Sequence, residues 1–170
     1  MIAKSQENDE GKANLYCNLG KYYKEIGKLD RAIHALKTGL NNAKRWQDSR
    51  IRFYILAELT DAYLHIKDFE TSDQTLKLLE SEINQGGDVL LVGMCFNIFA
   101  KKHAQTGQID SALTLLGQNY KILVKISVSE ELLECCRLLH KYLLAKNEPY
   151  EAEFYLAESK KMQKCLREML

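Results

Sequence analysis

Tyr16-Cys17-Asn18-Leu19-Gly20-Lys21-Tyr22-Tyr23 opens a pattern that returns 40 residues later as Leu56-Ala57-Glu58-Leu59-Thr60-Asp61-Ala62-Tyr63. A third copy reads Phe96-Asn97-Ile98-Phe99-Ala100-Lys101-Lys102-His103, and a fourth Cys136-Arg137-Leu138-Leu139-His140-Lys141-Tyr142-Leu143. The period needs no gap. It puts Leu19, Leu59, Phe99 and Leu139 in one column and Gly20, Thr60, Ala100 and His140 in the next. Further on, Ala32, Ser72, Ala112 and Ala152 align, followed by Leu36, Leu76, Leu116 and Leu156. Self-similarity at a fixed period of this size is the mark of a stacked-repeat architecture.

Positions three, four and seven apart share one helix face, so Tyr16, Leu19 and Tyr23 form an apolar stripe on a first helix. The column Gly27, Lys67, Gly107, Asn147 breaks that helix, and Gly or Asn suits a left-handed residue at a helix end. Ala32 and Leu36 then lie on a second helix. Small residues in the Gly20 and Ala32 columns let the two helices pack closely. Each unit is thus a helical hairpin, and a lone hairpin cannot cover its apolar face, so neighbours must stack.

The reading is all-α, with eight helices in four hairpins. The expected pairs are 11–26 with 29–44, 49–66 with 69–84, 88–106 with 109–125, and 129–146 with 149–167. Connections fall at Gly27-Lys28, Trp46-Gln47-Asp48, Gly86-Gly87, Gly107-Gln108 and Asn147-Glu148-Pro149. Pro149 opens the last helix, where a missing amide hydrogen costs nothing. Asp48, Asp88 and Ser129 stand where N-caps are needed. Residues 1–10 are polar without an apolar centre, so they read as a disordered tail and not as a signal peptide. Residues 11–170 read as one domain, with repeats near 13–46, 53–86, 93–126 and 133–166.

The composition narrows the function. There are 24 Lys and Arg against 23 Asp and Glu, a net charge of +1, so no bulk field draws the chain to nucleic acid or to acidic lipid. No apolar run approaches membrane-spanning length. The 5 cysteines form no C-x-x-C pair, which argues against a disulfide framework or a zinc site and for thiols in a reducing cytoplasm. His34, His65, His103 and His140 come from four different repeats and show no metal-ligand spacing. Cys135 and Cys136 point about 100° apart on a helix and read as small apolar residues. No nucleophile–base set and no phosphate loop can be assembled. The expectation is a chain without catalysis, cofactor or metal.

These columns resemble the tetratricopeptide repeat (TPR). The match is fullest at Tyr16-x-x-Leu19-Gly20-x-x-Tyr23, Gly27, Ala32 and Gly39-Leu40, and next at Phe96, Phe99-Ala100, Gly107, Ala112 and Leu116. It covers roughly residues 13–165, in units of 40 where the family unit is about 34. The resemblance implies a right-handed α-solenoid whose concave face binds a peptide or protein. The implied role is a scaffold or adaptor. Longer units also resemble those of bacterial peptide-pheromone receptors, which makes a peptide-sensing domain with its effector segment outside this chain the alternative.

In the family, the first helix of each pair lines the concave side. Carried over by column, its positions are Asn14, Cys17, Lys21 and Lys24, then Tyr54, Ala57, Asp61 and Leu64. The later repeats supply Met94, Asn97, Lys101 and Ala104, then Glu134, Arg137, Lys141 and Leu144. Spacings of three, seven and ten make these a second helix face, off the core stripe. Lys21, Tyr54, Asp61, Asn97, Lys101, Arg137 and Lys141 are the binding candidates. Asn97 can donate to and accept from a peptide backbone, and Arg137 with Lys141 can orient acidic groups. The alternative is that these lysines form a solvated helix face. Chaperone-binding relatives clamp a terminal carboxylate with a Lys–Asn–Arg set. That set is missing here, because Cys17 and Lys21 occupy its first two positions. The last helix keeps Met162, Cys165, Leu166, Met169 and Leu170 toward its end, where a solenoid usually turns polar. That end pairs with a partner or with a second copy, or the chain is part of a longer protein; homodimerisation through that helix is one of these expectations.

Overall fold

The computed structural model describes residues 2–43, 49–83, 88–126 and 128–169, with the side chains of 2–10, 49 and 83 left aside. Eight α-helices account for nearly all of them: α1 (Ile2–Glu25), α2 (Leu29–Ala43), α3 (Ser49–His65), α4 (Phe69–Ile83), α5 (Val89–Gln105), α6 (Ile109–Leu123), α7 (Glu130–Ala145) and α8 (Pro149–Glu168). No strand occurs among the described residues. The fold is of the all-α helical-repeat class. Helix ends agree with the periodic reading to within two residues, apart from the start of α1 at Ile2 instead of residue 11. No proline interrupts residues 2–25, and the backbone runs helical through them. The expected connections at 46–48 and 86–87, and the Asp48 cap, lie outside the described residues.

All four hairpins turn in the same way. Gly27, Lys67, Gly107 and Asn147 have φ of 73°, 61°, 82° and 66°. At each, the residue's own N–H bonds a carbonyl three back, and the next N–H bonds one five back. Examples are Gly27 N to Lys24 O at 3.0 Å and Lys28 N to Tyr23 O at 2.8 Å. These are Schellman closures that satisfy the last carbonyls of the first helix. Lys67 and Asn147 adopt the left-handed conformation with a side chain attached, a strain that glycine avoids. Caps act at the other ends. Asp88 accepts from Leu90 N at 3.0 Å, and Ser129 from Leu132 N at 3.2 Å. Asp68 accepts from Thr71 N at 3.1 Å, a cap the column reading missed. That hydrogen bonding from Thr71 lowers the Asp68 carboxyl below its ordinary range.

The small columns show why the helices approach closely. Ala32, Ser72, Ala112 and Ala152 are all sealed from solvent. At Gly20 an added Cβ would collide with the Cγ of Leu36, so close contact of α1 with α2 demands glycine there.

The chain divides into two compact units, Met1–Gly87 and Asp88–Leu170, each of two hairpins. The core of unit 1 gathers Ala13, Cys17, Leu36, Ala43, Ile55, Leu59 and Tyr63, with Ile33 and Leu40 of α2 packed against it. The core of unit 2 gathers Leu116, Leu123, Leu132, Cys135, Cys136, Leu139 and Met162, with Leu113 and Tyr120 of α6 packed against it. Burial raises the Cys136 thiol to about 12 and pushes Cys135 higher, so neither is a nucleophile at neutral pH. α8 carries charge in the columns that are apolar in α2 and α6: Glu153 aligns with Ile33 and Leu113, Lys160 with Leu40 and Tyr120, and both charged residues are exposed.

Candidate functional site

In each unit the first helices of the two hairpins touch, α1 with α3 and α5 with α7. The column geometry therefore brings side chains 33 to 37 residues apart in sequence into contact, and polar side chains tie both joints.

In unit 1 the tie is ionic. Lys24 Nζ of α1 lies 2.6 Å from Glu58 Oε2 and 2.6 Å from Asp61 Oδ2, both on α3. Glu58 and Asp61 are buried, with 7% and 5% exposure. Burial alone would lower the pKa of Lys24, but the charges of Asp61 and Glu58 outweigh it and hold the ammonium above its usual range. Lys21 Nζ stands 3.9 Å from Glu58 Oε1 and 5.7 Å from the centre of the Tyr54 ring. His65 Nδ1 lies 2.8 Å from the carbonyl oxygen of Asp61. Lys21, Tyr54 and Asp61 are thus brought together, with charge balanced inside the cluster. Lys24 was among the groove positions, whereas Glu58 was not. The signal for Glu58 was present, since Glu58 and Asp61 are three apart on one helix and Lys21 and Lys24 repeat that spacing one hairpin earlier.

In unit 2 the tie is largely neutral. Asn97 of α5 is 3% exposed and donates from Nδ2 to the Glu131 carbonyl of α7 at 2.9 Å. Its Oδ1 accepts from Asn119 Nδ2 of α6 at 2.9 Å, and Asn119 also donates to Gly93 O at 2.9 Å. The amide that could read a peptide backbone is here joining three helices of its own unit. Lys101 Nζ meets Glu134 Oε1 at 2.9 Å. Arg137 and Lys141 of α7 are exposed, with Lys141 Nζ 5.7 Å from the centre of the Tyr142 ring and Leu144 half exposed beyond it. The seven candidates therefore fall into two groups. Lys21, Tyr54 and Asp61 lie in unit 1, and Asn97, Lys101, Arg137 and Lys141 lie in unit 2.

Among the described residues, no group of three or more His, Cys, Asp or Glu side chains could hold a metal ion. Among the described residues, no helix is long and apolar enough to cross a membrane.

Stacked hairpins with tight left-handed turns and paired first helices define the class of TPR-like helical repeats. Solved structures with this architecture resemble the chain. A kinesin light chain-like protein of Podosopora anserina with nearly identical TPR-like repeats superposes with a TM-score of 0.57 at 18% identity, covering 92% of this chain and 76% of that one. BtubC (BKLC) from P. vanneervenii superposes at 0.63 with 13% identity, covering 91% of this chain and 64% of that one. A second Podosopora anserina structure gives 0.54 at 18% identity, over 89% and 74% of the two chains. These likenesses show the fold. No protein-family model and no curated protein matches the chain.

Proposed function

We propose that the chain is a non-enzymatic scaffold or adaptor, located in the cytoplasm, that binds a protein or peptide segment on the exposed face of α7. The observation that carries this reading is the contrast between the two first-helix faces. In unit 1 the cations Lys21 and Lys24 are neutralised from within by Glu58 and Asp61. On α7, Arg137 and Lys141 stand exposed one turn apart, with Leu144 offering apolar contact next to them. A segment with acidic groups flanking an aliphatic side chain matches that face. Arg137 supplies a planar fork for a carboxylate, Lys141 a point charge and Leu144 the apolar anchor. Lys101, close to Glu134, sets the electrostatic border of the site on α5.

A displayed random-peptide library panned against the purified chain tests the reading. Acidic sequences should be enriched, and the double variant Arg137→Glu with Lys141→Glu should lose them. Unchanged capture by the variant, or no acidic enrichment, overturns the site. A change of hydrodynamic size on peptide binding would move the role from scaffold to sensor.

A further inference from the structure

α8 presents an outward ridge that the packing of unit 2 leaves uncovered. Its inner face is occupied by Ala152, Ser159 and Met162, all buried. On the outer side, Tyr150, Glu153, Phe154, Ala157, Lys160, Lys161 and Lys164 are all exposed, Tyr150 to 92% and Phe154 to 53%. Their spacing of three, four and seven places them along one line of the helix, as the seam of a two-stranded coiled coil requires. Phe154 is held in place by edge-on contacts to Tyr155, with ring centres 5.1 Å apart, and to Tyr120 at 6.5 Å.

The ridge is chemically polarised. Its first half carries two aromatic rings and a carboxylate, and its second half carries three ammonium groups on long aliphatic stems. Parallel alignment of two such ridges would set lysines against lysines. Antiparallel alignment sets each half against the chemistry it lacks. With the twofold axis at Ala157, the smallest side chain lies at the crossing, where close approach is needed. Glu153 then faces Lys160 of the second copy, Phe154 faces its Lys161, and Tyr150 faces its Lys164. Each contact occurs twice by symmetry, over about 21 Å of helix. Ammonium groups over aromatic faces add to the ion pairs.

We propose that this ridge is a self-recognition surface, by which two copies of the chain associate through antiparallel α8 helices. The inference goes beyond the peptide-binding reading and does not depend on it. The line it follows lacks the apolar columns of α2 and α6, so the contact is electrostatic and aromatic rather than a continuation of repeat stacking.

Sedimentation velocity of the purified full chain over a concentration series is the test. A reversible dimer that weakens with added salt is expected. Glu153→Lys and Lys160→Glu should each lower the association constant roughly tenfold, because each reversal acts twice across the axis. The double variant carrying both changes should regain the dimer, since residue 153 of one copy meets residue 160 of the other. Phe154→Ser should weaken association without altering helicity by circular dichroism. Arg137→Glu with Lys141→Glu should leave association unchanged, which separates this surface from the α7 site. A wild-type chain that stays monomeric at all concentrations overturns the proposal. So does a dimer indifferent to the single reversals, or a double variant no better than either single one.

Discussion

Units 1 and 2 solve the same joint with opposite chemistry. Each must hold the first helix of one hairpin against the first helix of the next. Unit 1 does so with an ammonium between two buried carboxylates, Lys24 with Glu58 and Asp61. Unit 2 does so with a neutral amide ladder from Asn119 through Asn97 to the Glu131 carbonyl, with the Lys101–Glu134 ion pair at its edge. A repeat fold constrains the backbone and the apolar columns strictly, and leaves the polar tie to each joint. Cations used in the joint are removed from the surface. Unit 2 ties its joint mainly with amides, and Arg137 and Lys141 of α7 stand exposed.

The largest effect on this contrast should come from Asn97→Ala. It deletes the bond to Glu131 O and strips Asn119 of one acceptor in a buried setting, for a loss of about 3 kcal/mol. Amide hydrogen exchange should show α5, α6 and α7 opening while α1 to α4 keep their protection. Lys24→Met attacks the other joint. It removes the cation that stands 2.6 Å from both buried carboxylates and leaves Glu58 with Lys21 at 3.9 Å, at a cost of about 2 kcal/mol, below that of a fully buried pair because the Lys24 head keeps some solvent. Here the exchange should quicken in α1 and α3 only. Equal loosening of both units by either variant would erase the distinction.

Alkaline pH sharpens the comparison with a smaller effect. Burial makes these thiols ionise at higher pH in the folded chain than the ordinary 9.0, with Cys17 raised to about 11 and Cys136 to about 12. The unfolded chain therefore releases protons first. Stability is intact below about pH 9 and falls above it, by at most ~1.4 kcal/mol per thiol for each pH unit until the folded thiol also ionises. Unit 2, with Cys135 and Cys136, should weaken more steeply than unit 1 with Cys17. The contribution of Lys24 to unit 1, held by its raised pKa, should be lost only above its ordinary 10.5. Denaturant titrations from pH 8 to 11 on wild type and Cys136→Ala read the difference, and the variant should show the shallower decline.

The smallest effect expected is a gain. Lys67→Gly relieves a left-handed side-chain residue at φ 61° and should raise stability by about 1 kcal/mol, seen as a higher Tm. The reverse change, Gly27→Lys, should cost a similar amount, since Gly27 has φ of 73° and open space where a Cβ would sit.

Much of the fold was legible in particular columns. Gly27, Lys67, Gly107 and Asn147 announced a left-handed break through two glycines and one asparagine, and the period carried Lys67 with them against its own preference. Gly20 and Ala32 announced close helix contact through their size alone. The site was less legible. Column carry-over placed Lys21, Asp61, Asn97 and Lys101 on one helix face, but a face does not reveal which neighbour a side chain meets. Glu58 occupies a column otherwise held by Asn18, Ile98 and Leu138, so its column gave no hint of the ion cluster, and only its three-residue spacing from Asp61, matching that of Lys21 and Lys24, pointed to it. Asn119 stands where Gly39, Leu79 and Ser159 stand, and its part in the ladder depends on Asn97 across the hairpin.

By itself the sequence determined the repeat length, the helix boundaries apart from the start of α1, the turn conformation and the apolar faces, because these depend on contacts within a helix or across one short turn. Only the tertiary structure decided which charges are spent inside the joints and which remain exposed. Those pairings join residues more than thirty positions apart, and an ångström of helix offset determines whether a lysine reaches a carboxylate or the solvent.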